Sequence, residues 1–254
     1  MKTIGNTILI TGGGSGIGLG LAKAFHALGN QVIIASRRKD LLTDIVSKHK
    51  GMASYELDVK NTDQIKSVTE EILRDFPNVN MLINNSGIMR TEDIKTQNDM
   101  KDVEDITATN LLGPIRLTAA MLPSLLKQPY ATIINVSSGL GFVPMATTPT
   151  YCATKAALHS YSQSLRYQLK DTKISVIELI PPYVATDLLN GANDPMAMPL
   201  DEFIQEVMEI LTTEPHPYEI CVKKVMNFRL AAESINFDSI FRRFNDGVAQ
   251  ATAK

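Results

Sequence analysis

This chain of 254 residues has no tryptophan, only two cysteines and four histidines. Two cysteines cannot build a disulfide framework, and no CxxC or HExxH spacing offers ligands, so no metal is expected. An excess of one charge is missing too: 25 Lys and Arg stand against 27 Asp and Glu, a formal −2. Proteins that coat nucleic acid carry a basic excess, so a nucleic-acid partner is not expected. No apolar run approaches the ~18 residues that span a bilayer, so no membrane partner is expected. The opening MKTIGNTILITGG superficially resembles a signal peptide, but it runs into glycines with no cleavage-like site. It reads as the first strand of a cytoplasmic protein. Hydrophobic residues make up 44% and charged residues 20%, an ordinary globular composition.

Two periodicities alternate. Short β-branched or apolar runs occupy Asn6 to Thr11, Gln31 to Ser36, Met52 to Val59, Asn80 to Asn84, Ala131 to Ser138 and Lys173 to Ile180, with a seventh candidate at Tyr218 to Val225. Helical patterns fall between them at Gly16 to Leu28, Lys39 to Lys50, Asp63 to Asp75, Val103 to Leu126 and Tyr151 to Lys170. Strands apolar over four or five successive residues suit a sheet covered on both faces. The expected fold is α/β: a doubly wound parallel sheet with helices on both faces, in a single domain. No repeat, low-complexity stretch or Gly/Ser-rich linker divides it.

The first strand ends in Thr11-Gly12-Gly13-Gly14-Ser15-Gly16-Ile17-Gly18, and a helix starts at once. Glycines there let backbone approach a pyrophosphate, and the helix start offers that anion free N–H groups. Gly12, Gly16 and Gly18 read GxxxGxG, and no GK[ST] follows, which excludes a P-loop. The second strand ends in Ser36-Arg37-Arg38. An acidic residue at that place holds a ribose 2′-hydroxyl, whereas Arg pairs with a 2′-phosphate. Ser36 with Arg37, and more weakly Arg38, favours NADP over NAD. The alternative for the two arginines is a solvated pair at a helix start.

Ser138 closes the fifth strand, and Tyr151 and Lys155 follow thirteen and seventeen positions on. Tyr151 and Lys155 are i and i+4, on one helix face. An ammonium near a phenol favours the phenolate and should lower its pKa from about 10 toward neutrality. Tyr151 is then a general acid/base, and Ser138 can hydrogen-bond a substrate carbonyl. Cys152 reads as a buried thiol. The four histidines, His26, His49, His159 and His216, read as packing or surface residues.

In combination these motifs resemble the short-chain dehydrogenase/reductase family of the compact, Rossmann-like kind. TGGGSGIG at 11–18, DV at 58–59, NNSG at 84–87, Asn110, the Ser138/Tyr151/Lys155 set and PPYVATD at 181–187 carry the resemblance. Longer stretches such as NLLGPIRLTAAMLPSLL and VIELIPPYVATDL resemble its DltE-type bacterial branch. The resemblance implies a hydride transfer between a nicotinamide and a small carbonyl or alcohol substrate. It implies a cofactor site of Gly12, Gly14, Ser15, Gly16, Ile17, Gly18, Ser36, Arg37, Arg38, Asp58, Val59, Asn85, Ser86, Gly87, Tyr151, Lys155, Val184 and Thr186. It implies that Asn110 holds a relay water, and that the chain forms a homodimer or homotetramer. Ser86 replaces the usual alanine, and Pro182 stands where the family often has glycine. The other readings are a dinucleotide-binding regulator without turnover, and a sugar epimerase, which the length and glycine spacing disfavour.

Asn190 to Leu211 reads as a substrate lid: a loop with two prolines and two methionines, then a short helix. A plain surface loop is the alternative. Leu140, Phe142, Val143, Met145, Tyr183, Leu188, Met196 and Met198 are candidate pocket residues. The tail from Met226 to Lys254 shows no pattern that places it.

Overall fold

A computed structural model of the chain describes residues 1–96, 100–188, 194–214 and 217–252. Its strands are β1 (Thr7–Thr11), β2 (Gln31–Ser36), β3 (Ala53–Glu56), β4 (Met81–Asn84), β5 (Ala131–Val136), β6 (Ile174–Ile180) and β7 (Glu219–Cys221). They form one sheet in the order β3-β2-β1-β4-β5-β6-β7, parallel at every pairing. The helices are α1 (Gly16–Ala27), α2 (Lys39–Lys48), α3 (Thr62–Asp75), α4 (Lys101–Thr107), α5 (Gly113–Leu125), α6 (Pro149–Gln168), α7 (Leu200–Thr213), α8 (Met226–Ala231) and α9 (Phe237–Thr252).

Both sheet faces are covered, which is why the strands are apolar throughout. Ile8, Ile10, Ile34, Val136 and Leu179 pack with Leu21 and Phe25 of α1 and with Phe203 and Val207 of α7. Leu9, Ile33, Leu82, Ile133 and Val176 pack on the opposite face with Ile72, Leu117 and Leu165 of α3, α5 and α6. The chain is thus a single Rossmann-like doubly wound domain. Among the described residues no helix is long and apolar enough to cross a membrane.

Several elements depart from the sequence pattern. β5 ends at Val136, so Ser138 lies two residues past the strand instead of closing it, and β7 covers only Glu219–Cys221 of the expected Tyr218 to Val225. β3 stops at Glu56, opposite the end of β2 at Ser36, so Asp58 and Val59 lie in the turn beyond it. The long helix expected over Val103 to Leu126 is broken by a π turn at Ala108–Leu112, which carries Asn110. An apolar period of 3.6 tolerates one inserted residue, so the pattern does not reveal it. The tail forms α8 and α9, with Phe237, Phe241 and Phe244 at helical spacing.

The strand order reverses between β1 and β4, whose crossovers leave on opposite sides of the sheet. A crevice opens at the C-terminal ends of such a strand pair, and ligands of doubly wound sheets bind there.

Candidate active site

Thr11 ends β1, and Gly12 and Gly16 then turn the chain with φ of 65° and 51°. Glycine takes such angles without the strain a Cβ brings. A Cβ at Gly12 would stand 2.8 Å from Asn85 Nδ2, and one at Gly18 would collide with that same atom and with the Gly12 carbonyl oxygen. At Gly13 it would stand 2.7 Å from Ile34 Cγ2. The loop therefore lies flat on β2 and closes against β4. Thr11 Oγ1 accepts from the Asn85 and Ser86 amides at 3.0 and 3.1 Å, and Asn85 Nδ2 donates to the Thr11 carbonyl at 3.0 Å. Asn85, expected beside a ribose, spends its amide on the glycine loop. Thr11 and Gly13 were not among the predicted residues; the single signal for them was their place in the loop.

Ser15 precedes α1 without a side-chain cap, and the first turn holds no acidic residue. Its orphan N–H groups are available to an anion. Gly14 faces Ser36, where a Cβ would stand 3.1 Å from Oγ, and Gly16 faces Thr186 at 3.2 Å. Ile17 packs into the core behind the loop. Ser36 Oγ is buried and has no hydrogen-bond partner among the described residues. Arg38 Nη2 donates to Ser15 Oγ at 2.8 Å, whereas Arg37 is exposed with no such contact. The basic residue that reaches the glycine loop is thus Arg38, not the favoured Arg37. An uncapped helix start, a tight glycine cradle and an unpartnered hydroxyl beside an arginine fit a phosphate-bearing nucleotide.

Asp58 and Val59 shape the rim beyond β3. Asp58 Oδ1 accepts from the Lys60 amide at 3.0 Å, and Val59 packs where a Cβ on Gly113 would be 3.0 Å away. On the other side of the crevice, Val184 bridges to Met198, and the Ala185 amide donates to the Met198 carbonyl at 2.8 Å.

Ser138, Tyr151 and Lys155 converge next to this crevice, and all three are buried. Ser138 follows β5, where Oγ accepts from the Leu140 amide at 3.1 Å. Pro149 starts α6, which carries Tyr151 and Lys155. Lys155 Nζ donates to the Val136 carbonyl at 2.8 Å and lies 5.5 Å from the centre of the Tyr151 ring. Burial pushes the Tyr151 phenol up to about 12, against a hydrogen bond with Ser138 that pulls it down. Burial lowers the Lys155 ammonium to about 8, against the opposing pull of Glu178. For Tyr151 the direction is opposite to the depressed phenol pKa read from the i, i+4 spacing: burial raises it, and the Lys155 ammonium is turned to the β5 backbone.

Asn110 is fully buried. Its Oδ1 accepts from the Ile88 amide at 2.9 Å, and its Nδ2 donates to the Ile88 carbonyl at 2.9 Å and to Thr154 Oγ1 at 3.3 Å. The side chain thus pins the strand-end segment to α6. Gly87 lies in the same corner, where a Cβ would be 3.6 Å from Asn110 Oδ1 and 3.7 Å from Lys155 Nζ.

Residues 6–197 match the model of the short chain dehydrogenase family. This chain belongs to that family. The uncharacterized oxidoreductase DltE of Bacillus subtilis (strain 168) is 39% identical over 251 residues, 96% of this chain and 98% of DltE. The NADP-dependent 3-hydroxy acid dehydrogenase of Schizosaccharomyces pombe is 32% identical over 72% of this chain and 73% of its own length. Among solved structures, NADPH-bound carbonyl reductase from chicken fatty liver superposes with a TM-score of 0.74 at 27% identity, over 82% of this chain and 91% of its own. The chain is accordingly an NAD(P)-dependent oxidoreductase of the short-chain dehydrogenase family.

In this short-chain dehydrogenase the candidate pocket residues divide. Phe142, Val143 and Met198 are buried in the packed interior. Leu140 and Met145 pack around Tyr151 with Ile88 and Met89, and Tyr183, Leu188 and Met196 are exposed at the rim. Asn190 to Asn193 of the expected lid lie outside the described residues. α7, its helical part, buries Phe203, Val207 and Leu211 in the main core and presses Ile204 on Gly20 of α1. The tail reaches the site as well. Asn245 of α9 accepts from the Ala146 amide and donates to the Pro144 carbonyl at 3.0 Å, while Phe228 of α8 lies over Gly139.

Proposed function

We propose that this enzyme reduces a small carbonyl compound to the alcohol with NADPH, and that Tyr151 is the proton donor. The convergence of Ser138, Tyr151 and Lys155 at the crevice carries this reading. Gly12, Gly14, Ser15, Gly16, Ile17 and Gly18 would hold the pyrophosphate. Ser36 and Arg38, with Arg37 behind them, would take the 2′-phosphate. Asp58, Val59, Ser86 and Gly87 would border the adenosine, with Asn85 setting their position. Val184 and Thr186 would border the nicotinamide end. When bound, the nicotinamide supplies a hydride to the carbonyl carbon.

The protein's own part is proton and charge placement. Ser138 Oγ–H donates to the carbonyl oxygen and fixes its approach. Tyr151 gives its phenolic proton to the same oxygen as negative charge gathers there. The phenolate left behind is stabilised by the Lys155 ammonium, which also orients the cofactor ribose. Asn110 keeps Lys155 and the Ile88 backbone in register, and a water held by the π turn would return a proton from solvent. The NADP-dependent dehydrogenase of the yeast and the NADPH-bound carbonyl reductase of the chicken support the cofactor choice. Of the expected lid 190–211, the stretch 194–199 before α7 would cover the bound substrate, while α7 stays seated in the core. The reading includes the homodimer or homotetramer in the cytoplasm that the family resemblance implies; the free thiols Cys152 and Cys221 suit a reducing compartment, and light scattering decides the assembly.

Tyr151→Phe keeps the ring and removes the proton. Carbonyl reduction should fall ~10²-fold or more, with NADPH affinity retained. Near wild-type turnover in that variant would overturn the assignment.

A further inference from the structure

β6 reads Ile-Ser-Val-Ile-Glu-Leu-Ile, and its one charged residue, Glu178, is fully buried. A buried carboxylate costs several kcal/mol unless it is paired and fully hydrogen-bonded. Glu178 is half satisfied. His159 Nδ1 lies 2.6 Å from Oε2, while Oε1 has no hydrogen-bond partner among the described residues. An apolar side chain would fill a sheet interior more cheaply, so the carboxylate calls for a reason of its own.

Its place in the fold supplies one. Glu178 sits opposite Asn135 of β5 in the parallel register, one residue before the Val136 whose carbonyl takes the Lys155 ammonium. Asn135 Nδ2 donates to Ser162 Oγ on α6, so this register level faces α6. Along α6, Tyr151, Lys155 and His159 recur every four residues on one face. Glu178 therefore meets the same helical stripe that carries the reacting groups, one turn past Lys155. His159 is held in turn: Phe142 packs edge-on to its ring at 4.7 Å, and Gln163 is 3.0 Å from Nε2 at the solvent side.

We propose that Glu178, seated by His159, is a positioning residue of the catalytic centre, its buried carboxylate being the counter-charge of the buried Lys155 ammonium. The pull of Glu178 on Lys155 against desolvation supports it. The charged and titratable groups around the pair are Tyr151 and His159 on α6, Glu219 and Cys221 on β7, and Arg229 on α8. Glu219 does not compete for Lys155, because Arg229 holds it at 2.6 and 3.2 Å. Ligand atoms of His159, Glu178 and Glu219 lie within 4.8 Å of one another. The Arg229 cation beside them disfavours a metal ion.

The functional meaning rests on Lys155 acting in the proposed reduction, but the test does not need turnover. Lysine labelled with ¹³C at Cε is titrated by NMR in wild type, Glu178→Gln and Glu178→Met, with Lys155 identified by Lys155→Arg. Wild type should titrate at about 8, and both variants about one pH unit lower, a tenfold loss of proton affinity. Methionine is of similar length and suits a buried strand position, so that variant should fold even if glutamine does not. In turnover, the alkaline limb of carbonyl reduction should move by the same amount. An unchanged Lys155 titration in either folded variant would overturn the proposal. A shifted titration with an unmoved limb would instead count against Lys155 in the reaction.

Discussion

Arg37 and Arg38 differ by one position and by what they reach. Arg38 bonds Ser15 at the edge of the glycine loop, next to the unpartnered hydroxyl of Ser36, and Arg37 remains in solvent. A 2′-phosphate at Ser36 would meet a guanidinium already on the loop. A charge-assisted hydrogen bond contributes about 1.5–3 kcal/mol, or roughly tenfold to a hundredfold in affinity. Wild type should bind NADPH more tightly than NADH, Arg38→Ala should cut that ratio about tenfold, and Arg37→Ala should change it less. Dissociation constants for both cofactors check this. A larger effect at Arg37, or tighter NADH binding by wild type, would move the assignment off Arg38. The same scale shows where spacing misleads: i and i+4 placed Tyr151 and Lys155 together, yet burial is the largest influence on how each titrates.

Elements carried the most legible information. The β-branched runs and the helical patterns between them specified the parallel sheet, and GxxxGxG with the serine, tyrosine and lysine spacing marked the crevice. What escaped reading depends on distant partners. The π turn at Asn110 hides inside a helical period, and the loop role of Asn85 needs β4 beside β1. Glu178 shows only as a charge in an apolar run until His159 is brought next to it. The proposed lid rests on a break in the alternation, which does not show the division within the segment. α7 is fastened to α1 through Ile204 and to the core through Phe203 and Val207, whereas Met196 before it is exposed. Hydrogen exchange with NADPH should therefore protect residues 194–199 while the buried face of α7 stays protected throughout. Equal protection of 194–199 in both states would remove the lid, and exchange of α7 in step with them would make it a larger moving unit.

At the scale of the whole molecule, the two halves of the site are served by different parts of the chain. Residues before 188 build the glycine cradle and the Ser138/Tyr151/Lys155 set, while α8 and α9 press on the turn after Ser138. Asn245 ties down both Pro144 and Ala146. Each such bond contributes about 0.5–1.5 kcal/mol. Asn245→Ala should raise KM for the carbonyl about fivefold to tenfold, with the NADPH dissociation constant unchanged. Steady-state kinetics and a binding titration report the two separately, and parallel losses would show general destabilisation instead.

The reach of Asn245 across about a hundred residues also sets an order of events during synthesis. A ribosome making this chain releases every strand of the sheet before α9, so the crevice can close while the 144–146 loop is still unclamped. On the proposed reading of the 144–146 loop as a border of the substrate, selection of substrate is the last property a newly made molecule acquires, and a chain cut before α9 should keep its nucleotide grip while losing its discrimination.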